Sequence, residues 1–114
     1  MGLITHIVSF RYKPSTSDAE RHLVASRFLA LQDQCELKGE RYLSVTGGKQ
    51  NSPEGLGKGY EHTFVVTFTS SEHRDFYVSD DPAHNAFKEL IKDHIADVFV
   101  FDFEQGVFSG PGRD

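Results

Sequence analysis

The chain contains no tryptophan and only one cysteine, Cys35, among its 114 residues. A single cysteine excludes an intramolecular disulfide and is typical of proteins from a reducing compartment. Basic residues are also scarce, because twelve Lys and Arg stand against seventeen Asp and Glu and give a net charge of −5. The positive charge that neutralises phosphates is therefore missing, and we do not expect nucleic acid as a partner.

Extreme composition is absent as well. Hydrophobic residues make up 38% of the chain and charged residues 25%, which is typical of neither a disordered nor a membrane protein. The amino terminus has neither a basic start nor an uninterrupted apolar run, so no signal peptide is predicted. We expect a soluble, cytoplasmic protein that binds no membrane, with one domain over residues 1–105 and a tail over residues 106–114.

Cap and turn residues divide the chain into strands and helices. The run from Leu3 to Tyr12 is rich in β-branched and aromatic residues and predicts a strand. Ser17 and Glu20 form a capping box that begins a helix, which we expect to end near Lys38-Gly39. Further strands are predicted at 42–46, 60–69 and 98–104, a glycine-rich loop at 47–59, and two short helices between 70 and about 94. This order is that of an α+β, ferredoxin-like βαββαβ fold with an antiparallel four-stranded sheet.

The predicted strands are apolar on both faces, although helices can cover only one face of such a sheet. In the first strand Val8 and Phe10 lie on one face while Ile7 lies on the other; in the last strand Val100 opposes Phe101. The chain has no spare segment to cover the second face. We therefore predict a homodimer that buries sheet against sheet, an α+β barrel formed by two chains.

His84 is the most informative of six scattered histidines, none of which has the spacing of a familiar zinc motif. Asp81 and Pro82 begin a helix, which places His84 in its first turn. The helix dipole there disfavours the imidazolium form, so a neutral ring would be able to accept a proton. Asp80 and Asp81 act in the opposite direction, which leaves the sign of the pKa shift open. The alternative role is a half-buried histidine that fixes the turn.

Three other polar side chains lie among apolar neighbours. His6 and His62 each occupy an otherwise apolar strand face, where an imidazole is costly to bury without a partner. Each is therefore either a pocket residue or a hydrogen-bonded core histidine. Tyr77 lies on the helix before the His84 helix, where its phenol would donate a hydrogen bond to a carbonyl that develops negative charge; it is equally well read as a half-buried aromatic.

Four short segments, in order along the chain, resemble the stress-responsive A/B barrel (Dabb) family. They are Thr5-His6-Ile7-Val8-Ser9-Phe10, Gly59-Tyr60-Glu61-His62-Thr63-Phe64, Pro82-Ala83-His84 and Phe101-Asp102-Phe103. The resemblance covers nearly the whole chain and implies a dimeric α+β barrel, in agreement with the two-faced strands.

The resemblance also implies a candidate site. The best-understood enzymatic member of the family is a plant polyketide cyclase that needs no cofactor and acts by aldol condensation. By similarity to it, His84 would be the general base and Tyr77 would orient the carbonyl, with no cofactor and no metal. The expected lining of an apolar pocket between helices and sheet is His6, His62, Phe28, Phe64 and Phe87.

Two functions follow as expectations. The first is a cyclase or lyase acting on a small apolar or aromatic carbonyl ligand in a long, open pocket. The second is a non-catalytic ligand-binding or stress-protective dimer whose histidines line or stabilise the barrel and whose interior is filled.

Overall fold

The computed structural model describes residues 2–111, in which three helices cover one face of a four-stranded antiparallel sheet. The elements are β1 (Ile4–Tyr12), α1 (Asp18–Gln34), β2 (Glu36–Leu37), β3 (Glu40–Arg41), β4 (Leu43–Lys49), β5 (His62–Phe68), α2 (Ser71–Ser79), α3 (Pro82–Ile91) and β6 (Ile95–Glu104). Residues 112–114, at the end of the predicted tail, lie outside the described range. Within residues 2–111 no helix combines the length and the apolar character needed to span a bilayer.

The sheet has the order β4-β5-β1-β6, so β1 lies at its centre with an antiparallel neighbour on each side. His6 on β1 lies opposite Val66 on one side and Asp102 on the other. Paired residues of antiparallel strands project from the same face. This register confirms the predicted ferredoxin-like fold, and it decides which polar side chains meet.

Both predicted helix starts are confirmed. Glu20 N–H donates to Ser17 Oγ at 3.1 Å, and Ser17 N–H donates to the Glu20 carboxylate at 2.8 Å, which completes the capping box. Asp81 caps α3, and Pro82 occupies the first position of that helix. These short polar residues satisfy the orphan N–H groups of the first turn, as the sequence pattern required.

The predicted end of the first helix near Lys38 is wrong. The helix α1 ends at Gln34, and the chain then forms the short hairpin β2–β3. Lys38 and Gly39 are its two turn residues, with φ values of 55° and 80°. A two-residue turn in which both φ angles are positive matches the right-handed twist of the strands, and glycine adopts it at no steric cost.

Two strands are longer than predicted. β4 continues through Gly47 and Gly48 to Lys49, where the sequence indicated a loop. Gly47 lies opposite Phe64, and a Cβ atom at position 47 would lie 2.5 Å from Phe64 Cδ1. The glycine is therefore needed for a close approach within the sheet rather than for a turn. β6 also begins three residues earlier than expected, at Ile95.

The two faces of the sheet differ in what covers them. The helix-covered face carries an aromatic core in which Phe28 of α1 stacks on Phe64 of β5, with ring centroids 4.1 Å apart. We call the other face the open face; its large apolar residues are Ile7, Val65, Phe99, Phe101 and Phe103. Phe101 is 56% exposed there. The predicted apolar character of both faces is thus confirmed.

Candidate active site

His84 lies in the first turn of α3 and faces the last turn of α2. Its Nδ1 atom is 2.7 Å from the backbone oxygen of Tyr77. Because a carbonyl oxygen only accepts hydrogen bonds, Nδ1 carries the proton and Nε2 is left with its lone pair. Among the described residues, Nε2 has no hydrogen-bond partner. The local structure therefore presents a neutral imidazole with one free basic nitrogen.

Burial lowers the pKa of His84 to about 4. The hydrogen bond to the Tyr77 carbonyl and the negative charge of Asp81 act in the opposite direction, while Lys88 and His6 reinforce the effect of burial. Desolvation disfavours the charged form, and here it outweighs the nearby carboxylate. The direction of the His84 pKa shift, which the sequence left open, is thus downward, and His84 is unprotonated at neutral pH.

Tyr77 is fully buried against His84. The two rings stack with centroids 3.8 Å apart and an interplanar angle of 14°. Burial, with added contributions from Cys35 and Asp81, raises the pKa of the Tyr77 phenol, which therefore stays protonated. Its hydroxyl has no hydrogen-bond partner within residues 2–111. The hydroxyl is therefore an unused donor beside the basic ring. Leaving a buried donor without an acceptor costs about 1–3 kcal/mol of folding free energy.

His6 is brought to the same place by the register of the sheet. Its ring packs nearly perpendicular to that of Tyr77 at a centroid distance of 5.8 Å, and its Nδ1 lies 2.6 Å from Asp102 Oδ1. Arg74 of α2 donates to the other oxygen of that carboxylate at 3.1 Å. Burial alone would raise the pKa of Asp102, but the hydrogen bonds from His6 and Arg74 hold it below its ordinary value. A charged carboxylate therefore orients His6 beside Tyr77 and His84.

His62 lies elsewhere. It is opposite Phe10, four residues along β1 from His6, which is about 13 Å of strand. Its Nδ1 atom is 2.8 Å from the hydroxyl of Tyr12, and burial lowers its pKa. The fold therefore separates the two strand histidines: His6 joins His84 and Tyr77, while His62 forms a distinct pair with Tyr12.

The three phenylalanines predicted to line a pocket are buried in the aromatic core. Phe28 contacts Phe64 face to face and Phe87 edge to face, with centroids 5.2 Å apart in the second pair. These rings occupy the space between helices and sheet where the sequence led us to expect a long, open pocket. Whether they contact a ligand stays a prediction.

Two concavities lie on the surface, away from His6, Tyr77 and His84. One, of about 510 Å³, is bounded by the β2–β3 hairpin, the start of β4 and His73. The other, of about 320 Å³, lies between α1 and α3 and includes Ala83 and Phe87. Neither is lined by His6, Tyr77 or His84. Between Gly2 and Pro111, no cluster of three or more His, Cys, Asp or Glu side chains has the geometry to hold a metal ion.

Three polar residues of this region were not identified from the sequence. Asp102 is a carboxylate in an apolar strand, a signal that it needs a buried partner, but only the register shows that the partner is His6. Arg74 reaches Asp102 from a different element. Tyr42 donates to the Asp81 carboxylate at 2.5 Å, and nothing in the local sequence indicates that contact.

The sheet order and the single helical layer place the chain in the ferredoxin-like class of α+β folds. A family model, the stress responsive A/B barrel domain (Dabb), matches residues 4–105, and the chain belongs to that family. This confirms the resemblance noted in the sequence. No curated protein sequence matches the chain.

Solved structures show the same fold. A protein from Arabidopsis thaliana is 26% identical with a TM-score of 0.79, covering 93% of this chain and 98% of that one. The hydroxynitrile lyase from Passiflora edulis is 20% identical with a TM-score of 0.77, covering 95% and 98%. A dimeric ferredoxin-like protein from Jannaschia sp. CCS1 is 21% identical with a TM-score of 0.70, covering 90% and 99%.

Proposed function

We propose that the protein is a homodimeric enzyme of the cyclase or lyase type that acts on a small apolar or aromatic carbonyl compound without a cofactor. One observation carries the proposal: a neutral imidazole with a free Nε2 is stacked on a buried phenol whose hydroxyl has no partner. A base and an unused donor side by side are the two groups that enolate chemistry requires.

The reaction begins with the transfer of one proton. Nε2 of His84 accepts a proton from the carbon next to the substrate carbonyl, and the C–H electron pair forms the enolate. The Tyr77 hydroxyl donates a hydrogen bond to the enolate oxygen, which carries the new negative charge. In a cyclisation the enolate carbon then forms a bond to a second carbonyl carbon of the same molecule. The resulting alkoxide takes the proton back from His84, so no charge or proton is left over.

Cleavage uses the same groups in reverse: His84 removes a hydroxyl proton as the carbonyl forms and the C–C bond breaks. The departing carbanion keeps the electron pair of that bond and takes the proton from His84. The Passiflora edulis neighbour supports this direction, because its name places lyase chemistry on the same fold. At 20% identity that likeness concerns the fold, and lyase activity in this chain would depend on His84 and Tyr77.

The homodimer is the second part of the proposal. The open face carries exposed aromatic residues of β6, and burying apolar area contributes roughly 25 cal/mol per Å². Dimeric ferredoxin-like neighbours from Jannaschia and Thermobifida fusca support a second copy as the cover of this face.

The catalytic proposal is tested with simple carbonyl probes. Exchange of the α-protons of acetophenone in D₂O is followed by NMR, and release of benzaldehyde from mandelonitrile is followed by absorbance. We expect His84→Asn to lower the accelerated rate about 10²–10⁴-fold. His22→Asn changes an exposed histidine of α1 and serves as the matched control. Equal rates for wild type, His84→Asn and His22→Asn contradict the proposal.

The pH profile gives an independent check. Since the pKa of His84 is about 4, the base stays unprotonated down to mildly acidic pH. The rate should therefore hold between pH 7 and pH 5 and fall only as pH approaches 4. An acidic limb near pH 6.5, the ordinary value for histidine, would assign the base to a different residue.

A non-catalytic role is the second candidate, because the aromatic core fills the interior between helices and sheet. In that case the protein is a ligand-binding or stress-protective dimer. His84→Asn would then change the thermal midpoint, and wild-type protein would leave both probes at their uncatalysed rates.

A further inference from the structure

Asp81 is a buried carboxylate with more hydrogen bonds than a helix cap requires. It is 1% exposed, and its Oδ1 accepts the N–H groups of Ala83 at 2.9 Å and His84 at 3.3 Å. Its Oδ2 is not directed at the helix; it accepts the hydroxyl of Tyr42 at 2.5 Å. One carboxylate therefore joins the first turn of α3 to a residue at the edge of the sheet.

Tyr42 is itself held in place. It lies between β3 and β4, and its ring packs on Phe68 of β5 and on His73 and Phe76 of α2, with centroids 5.6–6.2 Å apart. Burial, together with the hydrogen bond to Asp81, raises the pKa of the Tyr42 phenol, so it remains a donor. The hydroxyl thus reaches Asp81 from a fixed direction.

The link from Tyr42 to the basic ring is short. The Asp81 carboxylate binds the backbone N–H of His84 itself, so the position of the carboxylate sets where the first turn of α3 begins. The position of this first turn determines how the His84 ring stacks on Tyr77. It also determines the 2.7 Å hydrogen bond from Nδ1 to the Tyr77 carbonyl. A base displaced by about 1 Å can lose on the order of 10²-fold in rate.

We propose that Tyr42 and Asp81 are positioning residues for His84: the Tyr42 hydroxyl fixes the Asp81 carboxylate, and the carboxylate fixes the orientation and tautomer of the imidazole. This inference rests on the proposed function for its catalytic meaning, since His84 is the base there. The geometric part concerns the imidazole alone and is tested without turnover.

The experiment records ¹⁵N–¹H spectra of the histidine side chains in Tyr42→Phe and Asp81→Asn. Nitrogen shifts distinguish an Nδ1–H from an Nε2–H imidazole, and a pH series gives the midpoint of titration. The matched controls are Tyr60→Phe and Asp97→Asn, because Tyr60 donates to Asp97 at 2.9 Å in an exposed pair of the same chemistry.

Wild type and both controls should show His84 as the Nδ1–H tautomer. Tyr42→Phe and Asp81→Asn should show a mixture of tautomers. The titration midpoint of His84 should move downward in Asp81→Asn, because a negative charge that raises its pKa is lost. The other charged or titratable groups that face His84, which are Lys88 on α3, His6 on β1 and Tyr77 on α2, are unchanged in these variants.

Turnover separates this inference from the proposed function. Where the wild type accelerates α-proton exchange, we expect Tyr42→Phe to lower kcat about 10–100-fold with little change in KM. If no exchange is found but the tautomer changes as expected, the positioning role stands and the catalytic proposal fails. If folded Tyr42→Phe gives a His84 spectrum that superimposes on wild type, the positioning role is wrong. Tyr42→Phe keeps the cap, so it decides the matter even if Asp81→Asn does not fold.

Discussion

His84 is held twice by Tyr77, through its ring and through its backbone. The imidazole stacks on the phenol at 3.8 Å, while Nδ1–H donates to the carbonyl oxygen of the same tyrosine at 2.7 Å. The two contacts fix both the plane of the base and the nitrogen that carries its proton. They also join the end of α2 to the start of α3, so the local fold and the candidate chemistry depend on the same pair.

Acidification should destabilise the protein through His84. Its pKa is lowered from 6.5 to about 4 in the folded state, so the unfolded chain binds more protons between these values. Stability is therefore lost as pH falls below 6.5. For this one group the loss between pH 7 and pH 5 is about 2 kcal/mol.

Urea unfolding at the two pH values measures the effect. His84→Asn cannot take up the proton, so its free energy of unfolding should fall by about 2 kcal/mol less than that of wild type over this range. His22→Asn, which alters an exposed histidine, should follow wild type. The same pH dependence in wild type and His84→Asn would contradict the buried, neutral state of His84.

Tyr77→Phe should separate stability from activity. The variant removes a buried hydroxyl that has no partner, so we expect unchanged stability or a gain of up to about 1 kcal/mol. Activity on the carbonyl probes should fall about 10²–10³-fold, because the donor to the enolate oxygen is gone.

The matched comparison is Tyr42→Phe, which removes a hydroxyl bonded to Asp81. That variant should lose about 1.5–3 kcal/mol of unfolding free energy, because a buried carboxylate loses a donor. Equal destabilisation of the two variants in thermal or urea unfolding would show that the Tyr77 hydroxyl has a stabilising partner.

Adjacent glycines of β4 should respond oppositely to alanine. In Gly47→Ala the new Cβ meets Phe64 Cδ1 at 2.5 Å and the backbone oxygen of Thr63 at 2.7 Å. Phe64 is stacked on Phe28 and has little room to shift, so we expect a loss of about 1–3 kcal/mol. Gly48→Ala has no atom within 4 Å of its Cβ and should be neutral or slightly stabilising. Chemical unfolding of both variants tests this; equal stabilities would place Phe64 elsewhere.

A charge on the open face should prevent dimerisation. Phe101→Glu places a carboxylate on the open face, within the proposed interface, where two copies would bury two like charges. We expect Phe101→Glu to be a monomer by light scattering at micromolar concentration, where we expect wild type to be a dimer. Leu56→Glu changes another exposed apolar residue, in the glycine-rich loop, and should leave the dimer intact. A folded wild-type protein that is monomeric at the same micromolar concentration would contradict the proposed dimer.

Much of the fold was predictable because its signals are local. The capping box at Ser17, the Asp81-Pro82 helix start and the run of β-branched residues in β1 each depend on neighbours in sequence. The sequence does not predict the hairpin at Lys38-Gly39, because a lysine at positive φ is unusual and a Lys-Gly pair is typical of a helix end. The glycines of β4 predict a loop, because the close contact that requires Gly47 is with Phe64, which is distant in sequence.

The candidate site was predictable only in part, for the same reason. The first turn of α3 placed His84 correctly, whereas the sign of its pKa shift depends on burial, which no sequence pattern gives. The antiparallel neighbours of the predicted fold already indicate that His6 and His62 lie apart, whereas the pairing of His6 with Asp102 depends on the exact register. The contact between Tyr42 and Asp81 crosses two elements and follows from packing alone.

Asp102 occupies a strand position between Phe101 and Phe103, whose side chains point the opposite way, onto the open face. The same segment of β6 therefore places Asp102 against His6 on one face and would contact a second molecule on the other face. When dilution separates the two subunits, β6 loses this support and Asp102 is held less firmly against His6. Specific activity should therefore decline with falling protein concentration, in parallel with dissociation. The activity of each subunit would then depend on its contact with the other.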